Sequence, residues 1–408
     1  MAIKVFKEIA ELVTLAGAAR KQGRRVTDQD LSIVKNGALV IKDKRIVWAG
    51  PSAELPKPYK KSAVSLKGRS ILPTFVECHT HLVFAGTRAD EFEKRNQGMS
   101  YQDIAKEGGG ILATMRATRE ASAGELAKIA QKRVDLFIKQ GVTTIETKSG
   151  YGLNRAGEFK ILEVGKRLKG ARIVSTYLGP HAVSPDFKTP EDYIANIVKN
   201  DLPELKKKKL ASRCDIFVEK GFFVDEPARK YLRVAKDLGF DLTIHADQLS
   251  LSGGSRMAIE FGARSADHVL QIEAPEIEAL AASEVTCVLL PSSDLYLKTK
   301  YPPARALIDA GVRVALSTDF NPGTSPTQDL ALVGLLARLE MKMTLAEVLS
   351  AYTIGGAYAL GLEKDLGSLE EGKFADFVVL DGRISDLFYE VGRMPVAQTW
   401  REGKKLHG

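Results

Sequence analysis

The chain has 408 residues, 44% of them hydrophobic and 27% charged, with a net charge of +8 at pH 7. That balance belongs to a globular protein large enough for one big domain and a smaller one. Aromatic residues make up only 7%, too few for a base-stacking platform, and the one basic run, Lys206 to Lys209, reads as a solvated helix face within ELKKKKL. Nucleic acid is therefore not an expected partner, whereas a basic surface suits a small acidic substrate.

Cys78, Cys214 and Cys287 stand far apart in apolar runs, and no Cys-x-x-Cys occurs. They are expected to be buried, reduced thiols of a cytoplasmic protein. The opening MAIKVFKEIAELVTLAG is broken by Lys and Glu and does not read as a signal peptide. No stretch approaches the roughly eighteen apolar residues of a membrane helix, so no membrane partner is expected.

Residues 31–50, LSIVKNGALVIKDKRIVWAG, predict short strands with turns at Lys35-Asn36-Gly37 and near Asp43. The same turn-then-strand style returns at Gly367 to Leu380. A small β domain built from both termini, residues 1–70 and 366–408, is expected to flank an insert at 71–365. Within the insert, apolar runs recur at Ile71–Val76, Val142–Ile145, Arg172–Leu178, Asp215–Val218, Asp241–Ile244, Ser265–Leu270, Thr286–Leu290 and Val312–Leu316. Helical patterns fill most of the gaps, among them Gly124–Lys139, Glu226–Leu238, Pro302–Ala310 and Leu345–Leu360. Eight strands alternating with helices argue for an α/β fold, a parallel (β/α)8 TIM barrel. An open doubly wound sheet is the alternative. The strand count and the polar residues just past the strands favour the barrel, whose chemistry sits at the strands' carboxyl ends.

The first run continues as ILPTFVECHTH, an apolar strand ending in His-x-His. Side chains alternate along a strand, so His79 and His81 face one way and Cys78 and Thr80 the other. Two such imidazoles make half of a metal site. The third run ends in YLGPHAV, with His181. The fifth ends in LTIHADQ, with His245, Asp247 and Gln248. The sixth carries SADH, with His268. The eighth ends in ALSTDFNPGTSP, with Asp319, Asn321, Gly323 and Thr324. Five of the six histidines thus fall at predicted strand ends, and burying so many polar groups without a task costs stability. Neutral imidazole and carboxylate bind Zn²⁺ or Fe²⁺ without a thiolate. A metal held by His79, His81, His245 and Asp319 keeps one position for water, and His181 and His268 are placed to polarise a carbonyl or shuttle a proton. Gly108-Gly109-Gly110 has no following Lys-Ser/Thr and is not a phosphate loop.

The stretches PTFVECHTHLVFAGTRADEFE, YQDIAKEGGGILATMRATREAS, TIETKSGYGL, GGSRMAIEFGARSADH and STDFNPGTSPT together resemble the amidohydrolase superfamily. More narrowly, they resemble its hydrolases of 4-imidazolone-5-propanoate, over nearly the whole chain. The resemblance implies a metal-dependent barrel with a small β-sandwich domain. It implies ring opening of that substrate to N-formimidoyl-L-glutamate, in histidine degradation, by a metal-activated hydroxide attacking the ring carbonyl. It also implies one divalent or trivalent ion per chain, zinc or iron, on His79, His81, His245 and Asp319. Arg88, Tyr101, Tyr151 and His181 match substrate contacts, and Asn321, Gly323 and Thr324 match residues that hold the product. An anionic propanoate needs the cationic or hydroxyl partners that Arg88 and the tyrosines offer. Asp319, His268, His181 and Gln248 are the expected catalytic set. Gln248 departs from the pattern, where Glu is common. An amide takes no proton from water, which shifts proton handling to Asp319 or His268. A homodimer is an expectation of the resemblance alone. Other cyclic amidases or deaminases of the superfamily, or a metal-free scaffold, are the rival readings.

Overall fold

In the computed structural model, which describes residues 3–99, 103 and 108–408, the strands fall into two sheets. The first is built from both ends of the chain. It contains β1 (Ile3–Val13), β2 (Ile33–Lys42), β3 (Arg45–Pro51), β4 (Ala63–Ser65) and β5 (Ser70–Pro73). The second is parallel and runs in simple order through β6 (Phe75–Glu77), β7 (Val142–Lys148), β8 (Arg172–Tyr177), β9 (Arg213–Val218), β10 (Asp241–Ala246), β11 (Ser265–His268), β12 (Thr286–Leu289) and β13 (Arg313–Leu316). The chain then returns to the first sheet as β14 (Phe377–Leu380), β15 (Val396–Arg401) and β16 (Lys404–His407), with β14 antiparallel to β5.

The parallel sheet curls into a nearly closed barrel. Its two ends meet just past β6 and β13, where Thr80 bridges Phe320 and the His81 N–H donates to the Phe320 carbonyl at 2.9 Å. The barrel and the terminal sheet are joined by polar contacts. Arg172 pairs with Asp376 at 2.9 Å and with Glu402 at 3.1 Å, and Thr399 Oγ1 donates to the Ile138 carbonyl at 2.7 Å.

Local chemistry explains the helices. Ser122 and Glu125 cap each other's backbone N–H at the start of Ala123–Lys139, and the helix then buries Leu126, Ala130, Val134, Phe137 and Ile138 on one face. That spacing of three and four residues is an amphipathic stripe, and each large side chain buried contributes roughly 1.5–3 kcal/mol. No helix among the described residues is long and apolar enough to cross a membrane. Cys78, Cys214 and Cys287 are buried and unpaired.

Two expectations need correction. The run Ile71–Val76 is not one strand. Pro73 ends β5 in the terminal sheet, and after Thr74 the chain enters the barrel as β6. Both pieces are buried on both faces, so the change of sheet leaves no mark in the hydrophobic pattern. Nor does the chain turn at Lys35-Asn36-Gly37. Strand β2 runs straight through, and left-handed Asn36 (φ 48°) and Glu8 (φ 56°) on β1 bend the ladder instead of ending it. The turn near Asp43 is present.

The segment 345–360 is helical with one wide turn at Ala351–Gly355. There Gly355 lies so close to β13 that an added Cβ would collide with the Val314 carbonyl. Gly355→Ala is therefore expected to destabilise the fold by roughly 1–3 kcal/mol. A thermal melt checks this, and an unchanged midpoint would contradict so close an approach.

Candidate active site

Segments at or just past the ends of β6, β8, β10, β11 and β13 converge at one mouth of the barrel. They bring His79, His81, His181, His245, His268 and Asp319 together, all buried. The ligand atoms of His79, His81 and Asp319 lie within 4.8 Å of one another, and so do those of His79, His245 and His268. His79 is the ring common to both groups. Its Nε2 is 3.4 Å from Asp319 Oδ1, and His81 Nε2 is 3.7 Å from the same oxygen. The His79 and His245 ring centres are 4.6 Å apart. His181 stacks on His81 at 4.9 Å.

These rings are held from beneath by acids that pattern reading did not single out. His79 Nδ1 donates to Asp267 Oδ2 at 2.6 Å, and His245 Nδ1 lies 3.0 Å from Asp215 Oδ2. At His79 the carboxylate on Nδ1 fixes the tautomer and turns Nε2 outward. Lys148, fully buried, contacts Glu146, Asp215 and Asp267. Burial alone would lower its pKa, but Asp215, Glu146 and Asp267 outweigh burial and raise it. Ser317 donates to Glu77, whose carboxyl burial pushes up to about 8. The signal for these residues lay in the sequence as charged side chains at alternate positions inside apolar strands, as in Glu146-Thr147-Lys148.

The charge states of three of the rings suit a metal, whereas at His245 burial is outweighed by Asp215, which raises its pKa. Burial pushes His79, His81 and His268 well below the usual imidazole range, so all three rings are neutral. His79 Nε2, His81 Nδ1 and His268 Nδ1 are buried without a hydrogen-bond partner. A buried nitrogen with no hydrogen bond among the described residues, 3.4 Å from a carboxylate as His79 Nε2 is from Asp319, is what a cation would satisfy. Burial pushes Asp319 up to about 7.

Around this centre stand the residues expected to meet substrate. Tyr151 is buried, with its ring centre 5.5 Å from His81 and 5.4 Å from His181. Its loop is pinned by Glu158, which accepts the N–H groups of Gly150, Gly152 and Leu153, each at 2.7 Å. His181 Nδ1 lies 3.0 Å from the Gly150 carbonyl, which can only accept. The proton is thus on Nδ1, and Nε2 carries the lone pair. Asn321 Nδ2 donates to the Asp319 carbonyl and to Thr324 Oγ1, and its Oδ1 accepts the N–H groups of Gly323 and Thr324. Arg88 is buried, pairs with Glu91 at 2.7 Å, and lies against Gly323, where any Cβ would collide with the guanidinium. Gln248 is half-buried in the turn beyond His245, held there by the Gln271 amide on its carbonyl. Its neighbour Asp247 serves the backbone, accepting N–H groups at the start of helix Gly254–Phe261. Tyr101 lies outside the described residues.

A parallel barrel with a terminal sheet and a histidine–aspartate mouth defines the amidohydrolase class, and residues 70–406 match the amidohydrolase family. The chain is 58% identical to imidazolonepropionase of Bdellovibrio bacteriovorus, over 99% of this chain and 96% of the relative. It is 43% identical to the Geobacillus kaustophilus imidazolonepropionase, over 91% of this chain and 90% of that one. The chain therefore belongs to the imidazolonepropionase family. Among solved structures, a zinc-bound adenosine deaminase of Xanthomonas campestris superposes with a TM-score of 0.72 at 18% identity, covering 99% of this chain and 92% of that one. The A. niger ochratoxinase superposes at 0.71 with 19% identity, covering 100% and 96%. At that identity the likeness is one of fold. Fold and ligand cluster together point to a divalent metal.

One buried acid has no hydrogen-bond partner among the described residues. Neither oxygen of Asp294 is hydrogen-bonded, and burial, with Asp319 nearby, pushes its carboxyl up to about 8. The unfolded chain loses this proton near pH 3.8, while the folded chain keeps it to about pH 8. The unfolded state therefore binds fewer protons in that window, and stability falls as pH rises through it. At about 1.4 kcal/mol per unit, the metal-free protein is expected to lose up to about 4 kcal/mol between pH 5 and pH 8 that Asp294→Asn does not lose. Urea unfolding of both proteins at the two pH values checks this. Parallel pH dependence would show that Asp294 ionises normally.

Proposed function

We infer that the chain hydrolyses 4-imidazolone-5-propanoate to N-formimidoyl-L-glutamate, the ring-opening step of histidine degradation. The observation that carries this is full-length kinship with imidazolonepropionases, in a chain whose barrel mouth gathers the histidines and aspartate such a hydrolysis needs. We assign His79, His81, His245 and Asp319 as metal ligands, for one ion per chain. Zinc or iron suits their nitrogen and oxygen atoms. Bound there, such an ion acidifies water and polarises a carbonyl.

In the reaction, water oxygen bonds to the ring carbonyl carbon, the bond from that carbon to the adjacent ring nitrogen breaks, and that nitrogen takes a proton. Asp319, just past the end of β13 beside the metal-binding histidines, accepts the water proton. His268 faces the same centre from β11 and serves the developing oxyanion or relays the proton. His181 has its Nδ1 proton committed to Gly150, so its Nε2 suits a substrate N–H rather than an oxyanion. Burial also pushes His181 down to about 3, which keeps it neutral. Arg88, Tyr101 and Tyr151 take the propanoate, and Asn321, Gly323 and Thr324 hold the product side. Gln248 hydrogen-bonds the ring without taking a proton, which weakens a deaminase reading. Buried, unpaired cysteines suit a reducing, cytoplasmic setting.

Loss of the substrate's ultraviolet absorbance on adding protein to fresh imidazolonepropanoate tests the activity. Metal analysis is expected to return about one zinc or iron per chain. Almost no metal after reconstitution would favour a metal-free scaffold. His245→Ala is expected to fold and to lose at least about 100-fold in turnover, whereas full activity would refute its assignment. Gln248→Glu is expected to stay active, and its complete inactivation would give the amide a role not assigned here.

A further inference from the structure

Lys148 ends strand β7 with its side chain inside the barrel, out of all contact with solvent. Its ammonium lies 2.8 Å from Asp215 Oδ2, 2.9 Å from Glu146 Oε1 and 3.4 Å from Asp267 Oδ2. Two of these are the very oxygens that face the histidines. Asp267 Oδ2 takes the hydrogen bond from His79, and Asp215 Oδ2 is the atom nearest His245 Nδ1. The third acid reaches the same centre by another route. Glu146 Oε2 accepts the Thr80 N–H at 3.4 Å, and the Glu146 carbonyl accepts Thr80 Oγ1 at 2.6 Å. Thr80 is the residue between His79 and His81. One cation thus touches the carboxylates that lie against the His79 and His245 rings and the one that holds Thr80 between His79 and His81.

We propose that Lys148 is a positioning residue for the metal centre, whose ammonium ties together the acids that aim His79, His81 and His245. The proposal rests on the metal reading above. Three buried carboxylates around one point repel each other, and without a cation between them they move apart or turn away. Each such movement carries an imidazole with it. A buried ion-pair cluster is weak evidence for stability, because apolar groups of the same volume often serve as well. Its value here lies in the arrangement of the rings, and partners of metal ligands set affinity by about 10–100-fold.

The test measures zinc binding, by competition with a chelating dye, on metal-stripped parent and Lys148→Met. It also records the visible spectrum of the cobalt-loaded proteins, which reports ligand geometry. The expected result is zinc affinity weaker by about 10–100-fold and a changed cobalt spectrum in a variant with parental far-ultraviolet circular dichroism. A variant with a lower melting temperature but parental zinc affinity and cobalt spectrum has lost only a structural contact, and the proposal falls. If Lys148→Met is not recovered folded, the double variant Lys148→Met/Glu146→Gln replaces it, since it removes one charge of each sign. The same weakening is expected, and parental affinity there overturns the proposal. A parent that binds no zinc or cobalt would overturn the metal reading itself, a result distinct from the other two.

Discussion

The 2.6 Å hydrogen bond between His79 and Asp267 is the contact on which the site turns. His79 belongs to both groups of ligand atoms, so its orientation decides whether the two halves of the mouth share a centre. Taking a carboxylate out of water is expensive unless it is paired. Asp267 is paired on one side by an imidazole N–H and on the other by an ammonium. The price of burial therefore also secures the tautomer and direction of the ring. A second carboxylate lies beside a second ring at Asp215 and His245, 3.0 Å apart on the neighbouring strands β9 and β10.

Much of this was legible in the sequence, for physical reasons that can be named. Most barrel strands are buried and read as apolar runs, so β7 to β13 stand out, whereas β6 is merged with β5 of the terminal sheet into one run. Helix 123–139 was found within one residue of its start, because a capping serine and an amphipathic stripe agree. Histidines are rare in this chain, and five at strand ends are conspicuous. What remained hidden was whatever periodicity does not encode. The Pro73–Thr74 change of sheet lies inside a continuous apolar run. Asn36-Gly37 looks like a turn but bends a strand. The acids under the rings sit at strand positions that pattern reading treats as tolerated exceptions, although a charge in the middle of a buried strand is itself a sign of a network.

The loops around the mouth show a division of labour. Glu158 fixes the backbone that carries Tyr151 and presents the Gly150 carbonyl to His181. Asp247 and Glu219 do similar work beyond β10, Glu219 by accepting the N–H groups of Leu249 and Ser250. Side chains assigned to substrate are thus held by acids that need not touch it. This gives loops the rigidity that precise positioning demands.

The antiparallel pairing of β5 with β14 joins residues some three hundred positions apart. On a ribosome, β5 emerges early and presents an unclaimed edge for as long as it takes to make the entire barrel. Closing so long a loop is entropically costly and late. The interim edge is a template on which another nascent chain can add a strand. The terminal sheet is therefore open to misassembly until β14 is made, a hazard set by connectivity alone.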